Sequence, residues 1–133
     1  MNSLDTNVFV YAVSDIDGTK EQTAKKLLSR ATNAGWPIAA QVYGEFYSLM
    51  TRRKYMTRQE ALAAVDAFIV VMPALPSTLT AHTAAMRLAT DKQMQYWDAL
   101  IIAICAENGV KKLYSEDTPG TVKPLGVECV SPW

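Results

Sequence analysis

Four acidic residues stand where a sheet enzyme would collect charge: Asp5, Glu45, Asp98 and Asp117. Asp5 closes a short apolar strand that begins almost at Met1, and Asp117 follows the apolar run ending in Leu113-Tyr114-Ser115. In a parallel sheet both fall on the same carboxyl edge, where open α/β sheets bind ligands. Glu45 and Asp98 lie on helices expected to pack beside that edge. Several carboxylates in one crevice repel and raise the pKa of at least one of them, unless cations share the site. Oxygen ligands without His or Cys suit Mg²⁺ or Mn²⁺ rather than zinc. The matching chemistry is attack of metal-activated water on a phosphodiester, with metal also stabilising the leaving oxygen. The plain alternative for Asp5 is that it only caps the turn that follows it.

The elements that must position these acids can be read in order. Ser3 to Tyr11 reads as a short central strand running into an apolar helical turn, with Asp5 at the junction and Thr6 as N-cap. Thr19-Lys20-Glu21-Gln22 reads as a capping box opening a helix that Gly35 closes, its inner face Ala24, Leu27, Leu28 and Ala31. The other face carries Lys20, Lys25, Lys26 and Arg30 and is expected to be solvated. Trp36 to Ala40 is a short strand opened by Pro37. From Gln41 a helix carries Val42, Glu45, Phe46, Leu49 and Met50 and ends in Arg52-Arg53-Lys54, which both suits the helix dipole and could hold phosphate.

Thr57-Arg58-Gln59-Glu60 is a second capping box, heading a helix with the stripe Leu62, Val65, Phe68 and Ile69. Val70-Val71-Met72 is expected as a brief strand. A helix from about Thr78 to Asp91 should bury Leu79, Met86 and Ala89, with His82, the only histidine, as a surface or packing residue. Tyr96 to Ala106 is apolar nearly all round and reads as a buried helix ended by Gly109, with Asp98 at its mouth. A carboxylate there needs helix amides, a basic partner or a cation. Lys112–Ser115 and Gly126–Val130 complete the strands. This alternation predicts one α/β domain over residues 1–133, a three-layer α/β/α sandwich with a mostly parallel central sheet.

Composition narrows the function classes. Thirteen basic residues balance thirteen acidic ones, so no global positive field marks a nucleic-acid binder and any such site must be local. Cys105 and Cys129 show no metal or disulfide spacing and read as reduced, buried thiols. The longest apolar run, Ala99 to Ala106, is far short of the roughly 20 residues that span a bilayer. A cytoplasmic protein, neither secreted nor membrane-embedded, is the expectation.

Four segments carry a resemblance that covers essentially the whole chain. Leu4-Asp5-Thr6-Asn7-Val8, Gly44-Glu45-Phe46, Tyr96-Trp97-Asp98-Ala99-Leu100-Ile101 and Leu113-Tyr114-Ser115-Glu116-Asp117 resemble, in order, the four acidic motifs of PIN-domain ribonucleases. The likeness is greatest to VapC-type toxins of bacterial toxin-antitoxin pairs. It implies that Asp5, Asp98 and Asp117 are direct or water-mediated metal ligands, and that Glu45 completes the acidic site and orients metal-bound water. Thr6 and Ser115 would position carboxylates from the outer shell. Glu116 departs from the family pattern beside Asp117, and either could be the fourth ligand. Thr118-Pro119-Gly120 also differs from the family's aromatic continuation. The resemblance further implies RNA cleavage with Mg²⁺ or Mn²⁺, a homodimer and a cognate antitoxin. Arg52, Arg53 and Lys54 are candidate RNA contacts or a solvated helix end. Tyr43, Phe46, Tyr47 and Met50 could line an antitoxin groove or belong to the core.

Two other readings compete. Asp15-Ile16-Asp17-Gly18-Thr19 matches the signature of haloacid dehalogenase-like phosphatases, with one Asp as nucleophile and the other as general acid. That reading leaves Asp5 without purpose and offers no good later acidic pair, and Asp15 to Gly18 has a simpler explanation as a turn. A non-catalytic PIN-like interaction module would keep the fold and use the acids as caps and surface charges.

Overall fold

The computed structural model describes residues 1–14, 17–117 and 123–133. The chain runs β1 (Asn2–Leu4), α1 (Thr6–Val13), α2 (Gly18–Ala34), β2 (Ile38–Ala39), α3 (Ala40–Arg52), α4 (Arg58–Val71), β3 (Ala74–Leu75), α5 (Leu79–Lys92), α6 (Tyr96–Glu107), β4 (Lys112–Tyr114), a 3₁₀ turn (Pro124–Gly126) and β5 (Glu128–Val130). All the strand pairs among these residues are parallel, in the orders β1-β4-β5 and β2-β3. With the helices packed around them, the layering is the expected α/β/α sandwich. Asp15 and the segment Thr118-Pro119-Gly120 lie outside the described residues.

Register decides where the acids go. Leu4 is level with Tyr114, and Tyr114 with Val130, so β1, β4 and β5 end together. The pairing continues one residue further, with the Asp5 amide donating to Tyr114 O at 2.9 Å and the Ser115 amide to Val130 O at 2.9 Å. β4 lies between β1 and β5, while β1 itself is flanked by β4 on one side and β2 on the other, an interior strand as the sequence suggested. On its other side β1 approaches β2 through a buried bond from Ser3 Oγ to Pro37 O at 2.6 Å.

Helix starts follow side-chain chemistry more closely than the sequence reading allowed. Asp5 is the N-cap of α1 and Thr6 its first helical residue. Asp17, not Thr19, caps α2, accepting from the amides of Thr19 at 3.0 Å and Lys20 at 3.2 Å. Asp17 stands just before the first helical residue, where its Oδ1 reaches both free amides, whereas Thr19 already lies inside the first turn. The Thr57/Glu60 box on α4 forms in both directions. Thr57→Ala should therefore cost about 1 kcal/mol of stability, read by urea unfolding, because the orphaned amide passes to water.

Phe9 of α1 joins the helices. It meets Tyr43 and Phe46 of α3 and Phe68 of α4 edge to face, with ring centroids 5.1 to 6.2 Å apart. Tyr43, Phe46 and Met50 are thereby core residues, which removes them from any surface groove; Tyr47 is half-buried. Val70 and Val71 continue α4 rather than forming a strand, and the strand appears after Pro73. Leu62 and Ile69 point to solvent while Ala61 and Val65 face inward. On α5 the buried face is Ala81, Ala85 and Leu88, and Leu79 and Met86 are exposed. Both helices turn small residues inward where larger ones were expected. On α5 that face meets α6, which is itself rich in alanine, so the two backbones can approach closely. His82 bonds the Tyr96 hydroxyl through Nδ1. No helix among the described residues is long and apolar enough to cross a membrane.

Candidate active site

The carboxyl edge of the sheet and the starts of α1 and α6 enclose a cleft of about 270 Å³ lined by Asp5, Thr6, Asn7, Glu45, Ser48, Leu49, Arg52, Asp98 and Asp117. One oxygen each from Asp5, Asp98 and Asp117 lies within 4.8 Å of the others. These residues come from three distant parts of the chain. A larger, mainly apolar groove of about 760 Å³ beside α5 contains none of the four acids.

Asp5 is the most constrained member. Its Oδ1 accepts from the Thr6 amide at 2.6 Å and its Oδ2 from Ser115 Oγ at 2.7 Å. Ser115 Oγ also accepts from the Asp117 amide at 3.2 Å, so one hydroxyl ties two of the acids together. Thr6 Oγ1 donates to Glu45 Oε2 at 2.5 Å, and Gln41 Nε2 donates to Glu45 Oε1 at 2.7 Å and to Trp97 O at 3.0 Å. Gln41 thus links α3 to the start of α6 beside Asp98. Its own Oε1 is buried without a partner, a cost that its donated bonds offset. Gln41 was not singled out from sequence, although its position one helical turn before Glu45 on a shared face was the available signal.

The electrostatics are those of a site with too much negative charge. Burial pushes the Asp5 pKa up, against the lowering effect of the Ser115 and Thr6 bonds, and Glu45 and Asp117 raise it further. Asp98 is pushed up to about 6, first by desolvation and then by Asp5, Asp117 and Glu45. Among the described residues no basic side chain forms an ion pair with any of the four acids. Arg52 lines the cleft without pairing to them. Such a donor set, all oxygen and uncompensated by protein cations, fits a hard divalent ion.

Glu116 turns out of the cleft and accepts from Lys20 Nζ at 2.6 Å. Lys20 is therefore paired rather than part of a solvated face. Arg53 ends α3 and Lys54 adopts a left-handed backbone, and neither lines the cleft. A neighbouring depression of about 430 Å³ shares Ser48 and Arg52 with the cleft and adds Thr51, Met56, Thr57 and Arg58. Arg58 had been read only as part of a capping box. Asp17 is occupied as a helix cap and does not reach the cleft. Burial pushes the Cys105 thiol up to about 12 and the Cys129 thiol up to about 11, so neither serves as a thiolate nucleophile.

The sequence model of the PIN domain matches residues 3–119, a span that contains all four acids. The chain belongs to the PIN domain family. No curated protein matches it in sequence. Solved structures share the fold. One is VapC20 of Mycobacterium tuberculosis, described as a sarcin-ricin loop cleaving toxin. It is 21% identical, with 88% of this chain and 90% of that one covered and a TM-score of 0.66. VapBC2 of Rickettsia felis, bound to a DNA fragment from its promoter, is 14% identical over 99% of this chain and 98% of that one, with a TM-score of 0.70. FitAcB of Neisseria gonorrhoeae is 14% identical over 100% and 99%, with a TM-score of 0.72. In this PIN domain the acids of the strand ends and of α3 and α6 share one cleft.

Proposed function

We propose that this PIN domain is a Mg²⁺- or Mn²⁺-dependent endoribonuclease that acts as the toxin of a toxin-antitoxin pair in the cytoplasm. The observation that carries the reading is the convergence of Asp5, Asp98 and Asp117 oxygens within 4.8 Å, with no basic side chain paired to them among the described residues. Asp5, Asp98 and Asp117 would hold the ion. When bound, it supplies a Lewis acid that makes water nucleophilic near neutral pH and stabilises charge on the leaving oxygen of a phosphodiester.

The chain's own groups do the rest. Thr6 and Ser115 fix both oxygens of Asp5, so the ligand stands ready without reorganisation. Glu45, held by Thr6 and Gln41, keeps a free lone pair on each oxygen and orients the attacking water by accepting one of its protons in a hydrogen bond. Arg52, which lines the same cleft, contacts the phosphate being cut, and Arg58 takes a phosphate of the strand continuing into the adjoining depression. The neighbour described as a sarcin-ricin loop cleaving toxin supports RNA as the substrate. The complexes among the neighbours support an antitoxin partner. Leu62, Ile69 and Val70 on α4 and Leu79 and Met86 on α5 expose apolar surface available to a second copy or to that antitoxin.

Incubation with a panel of structured and single-stranded RNAs should give cleavage in Mg²⁺ or Mn²⁺ and none in EDTA. Hydrolysis of small phosphomonoesters without RNA cleavage would instead favour the Asp15-Asp17 phosphatase. The arginine assignments have their own check, RNA binding by a cleavage-dead protein at increasing salt. Arg52→Ala and Arg58→Ala should each weaken binding for all sequences alike and reduce the slope of log K against log salt by about 0.7 to 1.

A further inference from the structure

Two adjacent carboxylates, Glu116 and Asp117, follow β4, yet only Asp117 joins the cluster. The two residues share one short turn, and their side chains leave it in different directions. The difference lies in what each side chain meets. Ser115 Oγ accepts from the Asp117 amide and so fixes the turn from within. From without, Lys20 Nζ bonds Glu116 Oε1 at 2.6 Å, a contact between residues 96 positions apart. The other ion pair among the described residues, Lys25 with Glu21, lies within one helix.

Lys20 is itself held. Its ammonium lies 5.0 Å from the centre of the Tyr11 ring and 5.3 Å from that of Trp133, and those rings meet edge to face at 5.1 Å. A cation over two aromatic faces gains attraction from both and loses rotamer freedom before it meets its carboxylate. A lone exposed ion pair is worth little, since side-chain entropy offsets most of its attraction. Here the bracket has already restricted Lys20, and each side chain of the pair is only 29% exposed.

We propose that Lys20 is a positioning residue of the active site: braced by Tyr11 and Trp133, it holds Glu116 out of the cleft and thereby presents Asp117 to Asp5 and Asp98. The inference rests on the metal-site reading above and adds the device that decides which acid of the pair enters the site. Lys20 does not line the cleft, and acts through the 115–117 turn. Lys20→Met would free that turn, misplace Asp117 and leave a second carboxylate mobile beside it.

The test is Mn²⁺ affinity of the purified, metal-free protein, followed by the electron spin resonance signal of free Mn²⁺, alongside thermal unfolding. Lys20→Met and Glu116→Gln should each raise the Kd by about 3- to 10-fold, somewhat less than the roughly 10- to 100-fold that loss of a direct outer-shell partner costs. The double variant should be no weaker than either single one, because the two residues act as a unit. Lys20→Arg keeps the charge and the ring contacts and should restore the affinity to within about twofold. Trp133→Leu, away from the cleft, should weaken Mn²⁺ binding by about twofold through loss of the brace. Unchanged Mn²⁺ affinity in Lys20→Met and Glu116→Gln, with wild-type binding intact, would overturn this proposal and leave the metal site standing. Failure of the wild type to bind Mn²⁺ would overturn both.

Discussion

Asp5→Asn is expected to reduce metal-dependent RNA cleavage by roughly three orders of magnitude, equivalent to about 4 kcal/mol of transition-state stabilisation. The loss should fall on the chemical step and not on folding. Asp5 is buried, and its pKa is raised because its charge is poorly solvated. Asparagine is neutral and of the same shape, retaining an oxygen for the Thr6 amide, while its amide group can donate to Ser115 Oγ once that hydroxyl rotates. The metal-free variant should therefore unfold no more easily than the wild type in urea. Strong destabilisation by Asp5→Asn would mean that the charged carboxylate is needed as a structural cap.

Asp98→Asn should separate stability from activity in the opposite sense to most active-site losses. Desolvation and its acidic neighbours push Asp98 from the ordinary value of 3.8 up to about 6 in the metal-free fold, so the folded state binds the proton more tightly than the unfolded chain. Stability is then fully present below about pH 3.8 and declines as pH rises through about 6, where the folded carboxyl ionises. Asparagine cannot ionise and escapes the decline. Part of the gain is given back, because Asp98 lies in the first turn of α6 where a negative charge favours the helix dipole. Discounted for this and for its half-exposed position, the variant should exceed the wild type by about 1 kcal/mol at pH 8 without metal. Mn²⁺ at about 100 times its Kd should reverse the order, stabilising the wild type by about 2.7 kcal/mol and the variant much less. Cleavage by the variant should be lost. A less stable metal-free Asp98→Asn would show Asp98 to be a structural charge.

Much of this arrangement was legible in the sequence because strand ends are strong signals. Leu4-Asp5 and Tyr114-Ser115 mark the ends of apolar runs, and a parallel register brings such ends to one edge whichever strand is in the middle. The sheet order itself was not legible, since two- and three-residue strands carry too little pattern to show their neighbours. Helix faces failed where alanine decides the packing. On α5 the apolar pattern favoured Leu79 and Met86, but Ala81 and Ala85 let α6 come close and left the larger side chains outside. The choice between Glu116 and Asp117 was beyond sequence reasoning because it depends on Lys20, which is remote in the chain and looked like one more solvated lysine. Gln41 went unnoticed because its importance comes from bonds to Glu45 and to Trp97, and only the first is local.

The most direct test of the central claim is a Mn²⁺ titration of the metal-free protein by calorimetry, comparing wild type with Asp5→Asn, Asp98→Asn and Asp117→Asn. One shared site predicts saturable binding by the wild type and a loss of at least about tenfold in affinity for each variant. Binding that none of the three substitutions weakens, or no saturable binding at all, would contradict it and make these carboxylates helix caps and surface charges that merely share a cleft.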